Sequence, residues 1–175
     1  LARTFAARGH DLVIGDPVDG LVDELHDLGA QVEVVRGVRS LRTQEHADTL
    51  IGAAIDRFGR VDAAAVSSGR IITGPFVSSS DADLRKVYEG CVEAPYHFLR
   101  AATPPMVERG AGQILVITSA AGARPTPNAP LYSAMRAAAT MLARNVAAEV
   151  ARSGVQVNAV GTNYIDFPDL LAATG

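Results

Sequence analysis

Short apolar runs alternate with longer segments of helical period along almost the whole chain. The apolar runs are rich in β-branched residues and lie at residues 11–15, 31–35, 61–66, 113–118 and 155–160. The helical segments lie at residues 1–8, 18–28, about 43–58, about 81–109 and about 130–153, and a glycine follows the end of each. Glycine readily adopts the left-handed conformation that commonly terminates a helix. The alternation therefore predicts strands joined by helical crossovers.

Continuous apolar runs are typical of strands that are buried on both faces. The pattern predicts an α/β protein with a Rossmann-like, doubly wound parallel sheet, in one domain over residues 1–175. Since the first helix should follow a central strand that the sequence lacks, we expect a fragment without the first and last strands, with unpaired edges, that does not fold alone. Ligands of such sheets bind beyond the carboxyl ends of the strands. The functional loops should therefore begin near Asp16, Arg36, Ser67, Ser119 and Gly161.

Composition excludes several classes of protein. With 48% apolar residues in 175, the chain can bury a core, which excludes disorder. The net charge of -3, with no run of Lys or Arg, argues against a nucleic-acid partner. The chain lacks the roughly 18 consecutive apolar residues that span a membrane. Its single cysteine, Cys91, forms no internal disulfide, and its four histidines lack metal-ligand spacing. We expect a cytoplasmic protein with no metal site and no membrane segment.

Three polar residues stand where proton chemistry could occur. Ser119 ends an apolar strand, Tyr132 begins the longest regular helix, and Arg136 follows one turn later on the same helix face. A free phenol titrates at about pH 10, so a tyrosine base at neutral pH needs a neighbouring permanent positive charge, which Arg136 can supply. Ser119 could bind the substrate oxygen that exchanges a proton with Tyr132. Taken singly, each has an ordinary interpretation: a cap, a half-buried packing residue and a solvated cation.

These residues lie in motifs that resemble the short-chain dehydrogenase/reductase superfamily over nearly the whole chain. The motifs are VITSAAG at 116–122, YSAMR at 132–136 and VNAVG at 157–161, with Asp16 after a strand. The spacing of thirteen residues between Ser119 and Tyr132 matches the catalytic pair of that superfamily. The resemblance implies that Asp16 either holds an adenosine ribose or survives as a turn residue.

Several positions depart from the dehydrogenase pattern. Arg136 stands where those enzymes have a lysine that also grips the nicotinamide ribose, and the two side chains are not interchangeable. Those enzymes usually carry an Asn-Asn-Ala-Gly turn where this chain has Val66-Ser67-Ser68-Gly69, and their further catalytic Asn falls at or near Cys91. The segment GTNYIDFP at 161–168 replaces a Pro-Gly loop. This combination resembles the halohydrin dehalogenases, relatives that use no nicotinamide.

That resemblance implies a carbon–halogen lyase that converts vicinal halohydrins to epoxides, releases halide and a proton, and opens epoxides with small anions in reverse. Tyr132 would be the base, assisted by Arg136, and Ser119 would anchor the substrate oxygen. The halide and substrate would contact the loop formed by Thr162, Asn163, Tyr164, Ile165 and Phe167. No cofactor would be required, and the long helices would assemble a homotetramer.

Two other interpretations stay open. One is an NAD(P)-dependent short-chain oxidoreductase with Arg136 in place of the catalytic lysine. The other is a catalytically inactive relative that acts as a binding module, in which Tyr132→Phe would change nothing measurable. The loop at 162–167 could also be an ordinary lid of packing residues.

Overall fold

A computed structural model of the chain describes residues 1–163. The strands are β1 (Leu12–Gly15), β2 (Val32–Val35), β3 (Ala63–Ser67), β4 (Gly112–Ser119) and β5 (Val155–Thr162). The helices are α1 (Ala2–Ala6), α2 (Leu21–Asp27), α3 (Gln44–Phe58), α4 (Asp81–Tyr88), α5 (Ala94–Arg109) and α6 (Pro130–Val150). Strands and helices alternate as the sequence predicts, and most of their ends lie within a few residues of the expected positions.

All strand pairs among the described residues are parallel. β1 pairs with β2, while β4 lies between β3 and β5. The register sets Ser67 opposite Ile117 and Ser119 opposite Thr162. The carboxyl ends of β3, β4 and β5 therefore meet at one edge of the sheet, and the loops that follow them lie together there.

Helices cover both faces of the sheet, which confirms the predicted α/β, Rossmann-like, doubly wound fold. Leu12 and Ile14 of β1 pack with α1 and α2 around the buried Leu25. The alternate residue Gly15 faces the side chain of Leu50 on α3. A larger core lies among α3, α5 and α6 and the strands β3, β4 and β5. Successive side chains of a strand point to opposite faces, so the helices lie on both sides of it.

The sheet has two parts in the described residues. β1 and β3 do not pair with one another, and a cleft of about 600 Å³ lies between their facing edges. Residues 12–15 line one wall of the cleft and residues 61–65 line the other.

The predicted helix at 81–109 is divided in two. A π-helical turn, Glu89–Glu93, separates α4 from α5. Gly90 of this turn packs tightly on the loop after β3: a Cβ on Gly90 would lie 3.0 Å from the backbone nitrogen of Arg70. The sequence prediction missed the interruption because apolar residues continue at helical spacing through it. Among the described residues, no helix combines the length and apolarity that crossing a bilayer requires.

Candidate active site

Ser119 is held at the carboxyl end of β4. It is the last residue of the strand and caps a short 3₁₀ turn, Ala120–Gly122, by accepting a hydrogen bond from the backbone N–H of Ala121 at 3.2 Å. The side chain is half-buried. The capping bond uses Oγ as an acceptor, so the hydroxyl proton can still be donated to another oxygen. The ordinary interpretation as a cap and the catalytic one are therefore compatible.

Tyr132 lies in the first turn of α6, which begins at Pro130. Its ring is half-buried, and its hydroxyl forms no hydrogen bond with the described residues. Arg136 lies one turn later on the same face, and its guanidinium carbon is 5.0 Å from the centre of the Tyr132 ring. A cation at this distance from a ring face is attracted by the π system. The structure thus brings together the two residues that the i, i+4 spacing predicted to be neighbours.

Arg136 is buried, not solvated. The residue is 8% exposed, and Nη1 donates a hydrogen bond to the backbone carbonyl of Ile117 in β4 at 3.3 Å. Its Nε–H is buried without a hydrogen-bond partner, and none of the salt bridges among the described residues includes this guanidinium. A buried arginine keeps its positive charge, and burial without an acidic partner is costly. The site therefore concentrates uncompensated positive charge beside the phenol.

Two glycines allow the chain to pack this closely around Arg136. Gly122, in the turn after Ser119, lies against its backbone: a Cβ there would be 2.7 Å from the carbonyl carbon of Arg136. Gly69, after β3, lies against its side chain: a Cβ there would be 2.7 Å from the guanidinium carbon. Gly122 thereby couples the loop that carries Ser119 to the helix that carries Tyr132 and Arg136. Sequence reasoning missed both contacts, because they join residues that are distant in the sequence.

Asp16 lies at the carboxyl end of β1, with a φ of 34°. One carboxylate oxygen accepts a hydrogen bond from the backbone N–H of Gly37 at 3.0 Å. The other oxygen accepts none from the described residues. Asp16 thus serves as a turn residue, and its second oxygen can still accept a hydrogen bond from a ligand.

The predicted halide loop is described only in part. Thr162 ends β5, and its hydroxyl donates to the carbonyl of Thr118 at 3.2 Å. Asn163 accepts a weak hydrogen bond from Arg124 at 3.5 Å. Tyr164, Ile165 and Phe167 lie outside the described residues.

Cys91 lies in the π-helical turn and is fully buried. Its thiol is 3.7 Å from the carbonyl oxygen of Arg70, to which it can donate a weak hydrogen bond. A π-helical turn inserted in an α-helix is frequent at functional sites. Here it packs directly on the loop that contains Gly69, behind the guanidinium of Arg136.

Comparison with known proteins identifies the relatives of this chain. The family model of the short chain dehydrogenases matches residues 1–174. The 7alpha-hydroxysteroid dehydrogenase of Escherichia coli (strain K12) is 31% identical over 169 residues, which are 94% of this chain and 65% of that protein. The oxidoreductase UcpA of the same strain is 29% identical over 172 residues, or 96% of this chain and 65% of that protein. The chain thus spans slightly less than two thirds of the length of these relatives.

Solved structures agree on the fold. A 7 alpha-hydroxysteroid dehydrogenase complexed with NADH and 7-oxo glycochenodeoxycholic acid superposes with a TM-score of 0.82 at 31% identity, covering 91% of this chain and 63% of that one. The acetoin dehydrogenase of Enterobacter cloacae gives a TM-score of 0.85 at 28% identity, covering 96% of this chain and 70% of that one.

The prediction of a carbon–halogen lyase is wrong. The relatives named above are dehydrogenases and oxidoreductases, and neither lyases nor halohydrin dehalogenases are among them. Arg136 and the segment 161–168 weighed too heavily in that prediction, because a few substituted positions do not define an activity. Epoxide chemistry and a halide at residues 162–167 were expected only because of the lyase interpretation, so the reason to expect them is lost as well.

Proposed function

The chain belongs to the short-chain dehydrogenase family, and on this basis we propose that the protein is a nicotinamide-dependent oxidoreductase that interconverts a secondary alcohol and a ketone. The observation that carries the proposal is the placement of the Arg136 guanidinium 5.0 Å from the Tyr132 ring, on the helix that packs against the turn after Ser119. Alcohol oxidation needs a base for the hydroxyl proton, and ketone reduction needs the same group as an acid. A phenol next to a fixed positive charge meets both needs.

The residues at the site fit a nicotinamide dinucleotide. Arg136 has a buried Nε–H without a partner, and ribose hydroxyls are acceptors for guanidinium donors. The guanidinium lies at the carboxyl ends of β3 and β4, the edge at which parallel sheets bind nucleotides. Asp16, at the carboxyl end of β1, has a carboxylate oxygen that can accept a hydrogen bond from an adenosine ribose. When bound, the nicotinamide ring supplies hydride transfer.

The chain's own residues perform the proton chemistry. In alcohol oxidation, Ser119 donates its hydroxyl proton in a hydrogen bond to the substrate oxygen and holds that oxygen in place. Tyr132, in its phenolate form, takes the proton of the substrate hydroxyl as the carbonyl double bond forms. In ketone reduction, the Tyr132 phenol returns that proton to the oxygen. Arg136 stabilises the phenolate by its positive charge, because opposite charges attract strongly where water is excluded.

The carboxylate of Asp16 favours NAD over NADP. An acid at this position can accept hydrogen bonds from the ribose hydroxyls, whereas it repels the 2′-phosphate of NADP. Its hydrogen bond to the N–H of Gly37 keeps it in place at the end of β1.

The experiment that tests this function measures nucleotide turnover by the protein at its full natural length. NAD⁺ or NADP⁺ is supplied with a panel of secondary alcohols that includes hydroxysteroids and small hydroxyketones, and the reduced nucleotide is followed by absorbance. We expect alcohol-dependent reduction of NAD⁺ and the reverse oxidation of NADH with the matching ketones. Failure of every alcohol and ketone with both nucleotides would count against the proposal.

We also propose that the protein assembles as a homotetramer through its long helices. α6 buries Arg136, Ala139 and Ala143, whereas its other side leaves Ala134, Ala137, Ala138 and Met141 exposed. Tyr88 at the end of α4 and Tyr96 in α5 are also exposed, at 40% and 43%. Small residues allow two helices to approach closely, and exposed aromatic side chains are typical of interfaces. A second copy of this chain presents the same surface and could cover it.

A further inference from the structure

Gly69 lies in direct contact with the end of the Arg136 side chain. It follows β3 by two residues and has a φ of 145°. A Cβ at this position would overlap Nη2 and would lie 2.7 Å from the guanidinium carbon and 3.2 Å from Nη1. The α-carbon of Gly69 therefore forms one wall of the space that the guanidinium occupies.

The remaining walls of that space are also defined. Nη1 is bonded to the carbonyl of Ile117, and the ring of Tyr132 lies against the guanidinium at 5.0 Å. Gly122 packs on the backbone of Arg136 from the direction of Ser119. In this position the guanidinium is both hydrogen-bonded to β4 and stacked on the phenol.

The loop containing Gly69 is supported from behind by the π-helical turn. A Cβ on Gly90 would lie 3.1 Å from the carbonyl carbon of Gly69, and the Cys91 thiol reaches the carbonyl of Arg70. Because this support is in close contact, the loop has little room to retreat from the guanidinium. Any side chain added at position 69 must then displace the end of Arg136.

We propose that Gly69 is a positioning residue for Arg136: because it has no side chain, it leaves the space in which the guanidinium lies against the Tyr132 ring. The inference rests on the proposed function for its catalytic consequence. Gly69 touches neither substrate nor reacting atoms in this scheme; it acts through Arg136. A guanidinium is broad and planar where an ammonium is compact, so the contact made with Gly69 depends on the arginine at position 136.

A positive φ alone could also require glycine at position 69, and the chain offers a matched control for that explanation. Gly74 has a φ of 148°, nearly the same as Gly69, but a Cβ there would meet nothing within 4 Å. Both glycines have a φ that residues with a side chain rarely adopt, so Ala strains the backbone at either position. An added methyl group would contact Arg136 at position 69 but not at position 74.

The test is a double-mutant cycle in the protein at its full natural length. The variants are G69A, G74A, R136K, G69A/R136K and G74A/R136K, each measured for melting temperature and for kcat and KM with nucleotide and alcohol. We expect G69A to lower kcat at least about tenfold more than G74A does, because the displaced guanidinium no longer supports the phenol. We expect G69A to lower kcat and the melting temperature less in the R136K background, since the smaller ammonium leaves room for the added methyl.

Each outcome has a definite meaning. Equal effects of G69A in both backgrounds, matching those of G74A, would overturn the proposal and leave backbone strain as the reason for the glycine. If the unsubstituted protein turns over no nicotinamide nucleotide, the proposed function fails. The cycle in melting temperature then still decides whether Gly69 positions the guanidinium. If R136K is itself inactive, the same melting-temperature cycle decides.

Discussion

The guanidinium of Arg136 lies 5.0 Å from the centre of the Tyr132 ring, and Nη1 of the same group is bonded to the carbonyl of Ile117. The bond to β4 and the stacking on the phenol fix one cation with respect to both the sheet and the first turn of α6. The cation is buried and has no acidic partner in the described part of the chain. Its positive charge therefore acts mainly on the phenol of Tyr132 and on any ligand that binds beside it.

Loss of this charge should reduce the reaction rate without unfolding the protein. We expect Arg136→Met to lower kcat about 100-fold, within the range by which positioned acid–base groups accelerate reactions. Its melting temperature should stay equal or rise, because replacing an unpaired buried charge with an apolar group is often neutral or stabilising. The measurements are steady-state kinetics and thermal unfolding. Arg152→Met, at an exposed arginine just after the same helix, should leave both the rate and the melting temperature unchanged; a similar rate loss there would contradict this explanation.

Asp16 should decide which nicotinamide nucleotide is used. Asp16→Asn keeps a side-chain oxygen for the N–H of Gly37 and tolerates the positive φ, but removes the charge. We expect the ratio of kcat/KM for NAD to that for NADP to fall about tenfold, on the scale of a close charge repulsion in a partly exposed site. Asp11→Asn, at the opposite end of β1, is the matched control. An unchanged ratio in Asp16→Asn would contradict the proposal that Asp16 binds the adenosine ribose.

The dependence of stability on acid should include a contribution from Asp62. Hydrogen bonds from Arg60 and Arg109 lower the pKa of this carboxyl from its ordinary 3.8 to about 2. A carboxyl whose pKa is lower in the folded state stabilises the fold above pH 3.8, and the contribution is lost as the pH falls toward 2. We expect Asp62→Asn to lower the melting temperature by about 1 to 3 °C at neutral pH, since the pair is half-exposed.

The difference between Asp62→Asn and the unsubstituted protein should shrink as the pH falls from 4 to 2, the interval set by the shifted pKa. Thermal unfolding across this range measures it. Asp56→Asn is a control at an exposed carboxylate outside the salt bridges of the described residues. If the difference in melting temperature grew toward low pH, it would contradict a stabilising role of the ionised Asp62 carboxylate.

The proposed tetramer should depend on the exposed face of α6. Met141 is 51% exposed in the single chain, and Met141→Glu would bury a charge in each copy of the interface. We expect the variant to elute as a smaller species than the unsubstituted protein in size-exclusion chromatography with light scattering. An unsubstituted protein that is monomeric at all concentrations would contradict the assembly.

Much of the fold was predictable because its signals are local. The glycines after the helices adopt the expected left-handed conformation: Gly59, Gly110 and Gly154 have φ values of 75°, 75° and 73°. The apolar runs likewise became parallel strands. The π-helical turn was not predictable, because apolar spacing at Val87, Cys91 and Ala94 continues as in one helix. The turn packs against the loop at 69–70, a partner distant in sequence.

The site was predictable only in part. The neighbouring positions of Tyr132 and Arg136 follow from helix geometry, and the end of β4 located Ser119. The burial of Arg136 and its contacts with Ile117 and Gly69 depend on how α6 packs on the sheet, which no local pattern specifies. The prediction of a lyase failed for a different reason: a few substituted positions, such as arginine in place of lysine, do not define an activity, and the relatives are oxidoreductases.

The proposal that Tyr132 carries the proton is tested most directly by the alcohol-dependent reduction of NAD⁺. The rate of Tyr132→Phe is compared with that of the unsubstituted protein. We expect a loss in kcat of at least about 100-fold for Tyr132→Phe, with the melting temperature and NADH affinity unchanged, because the group that carries the proton is gone. Retention of the full rate in Tyr132→Phe would contradict the proposal.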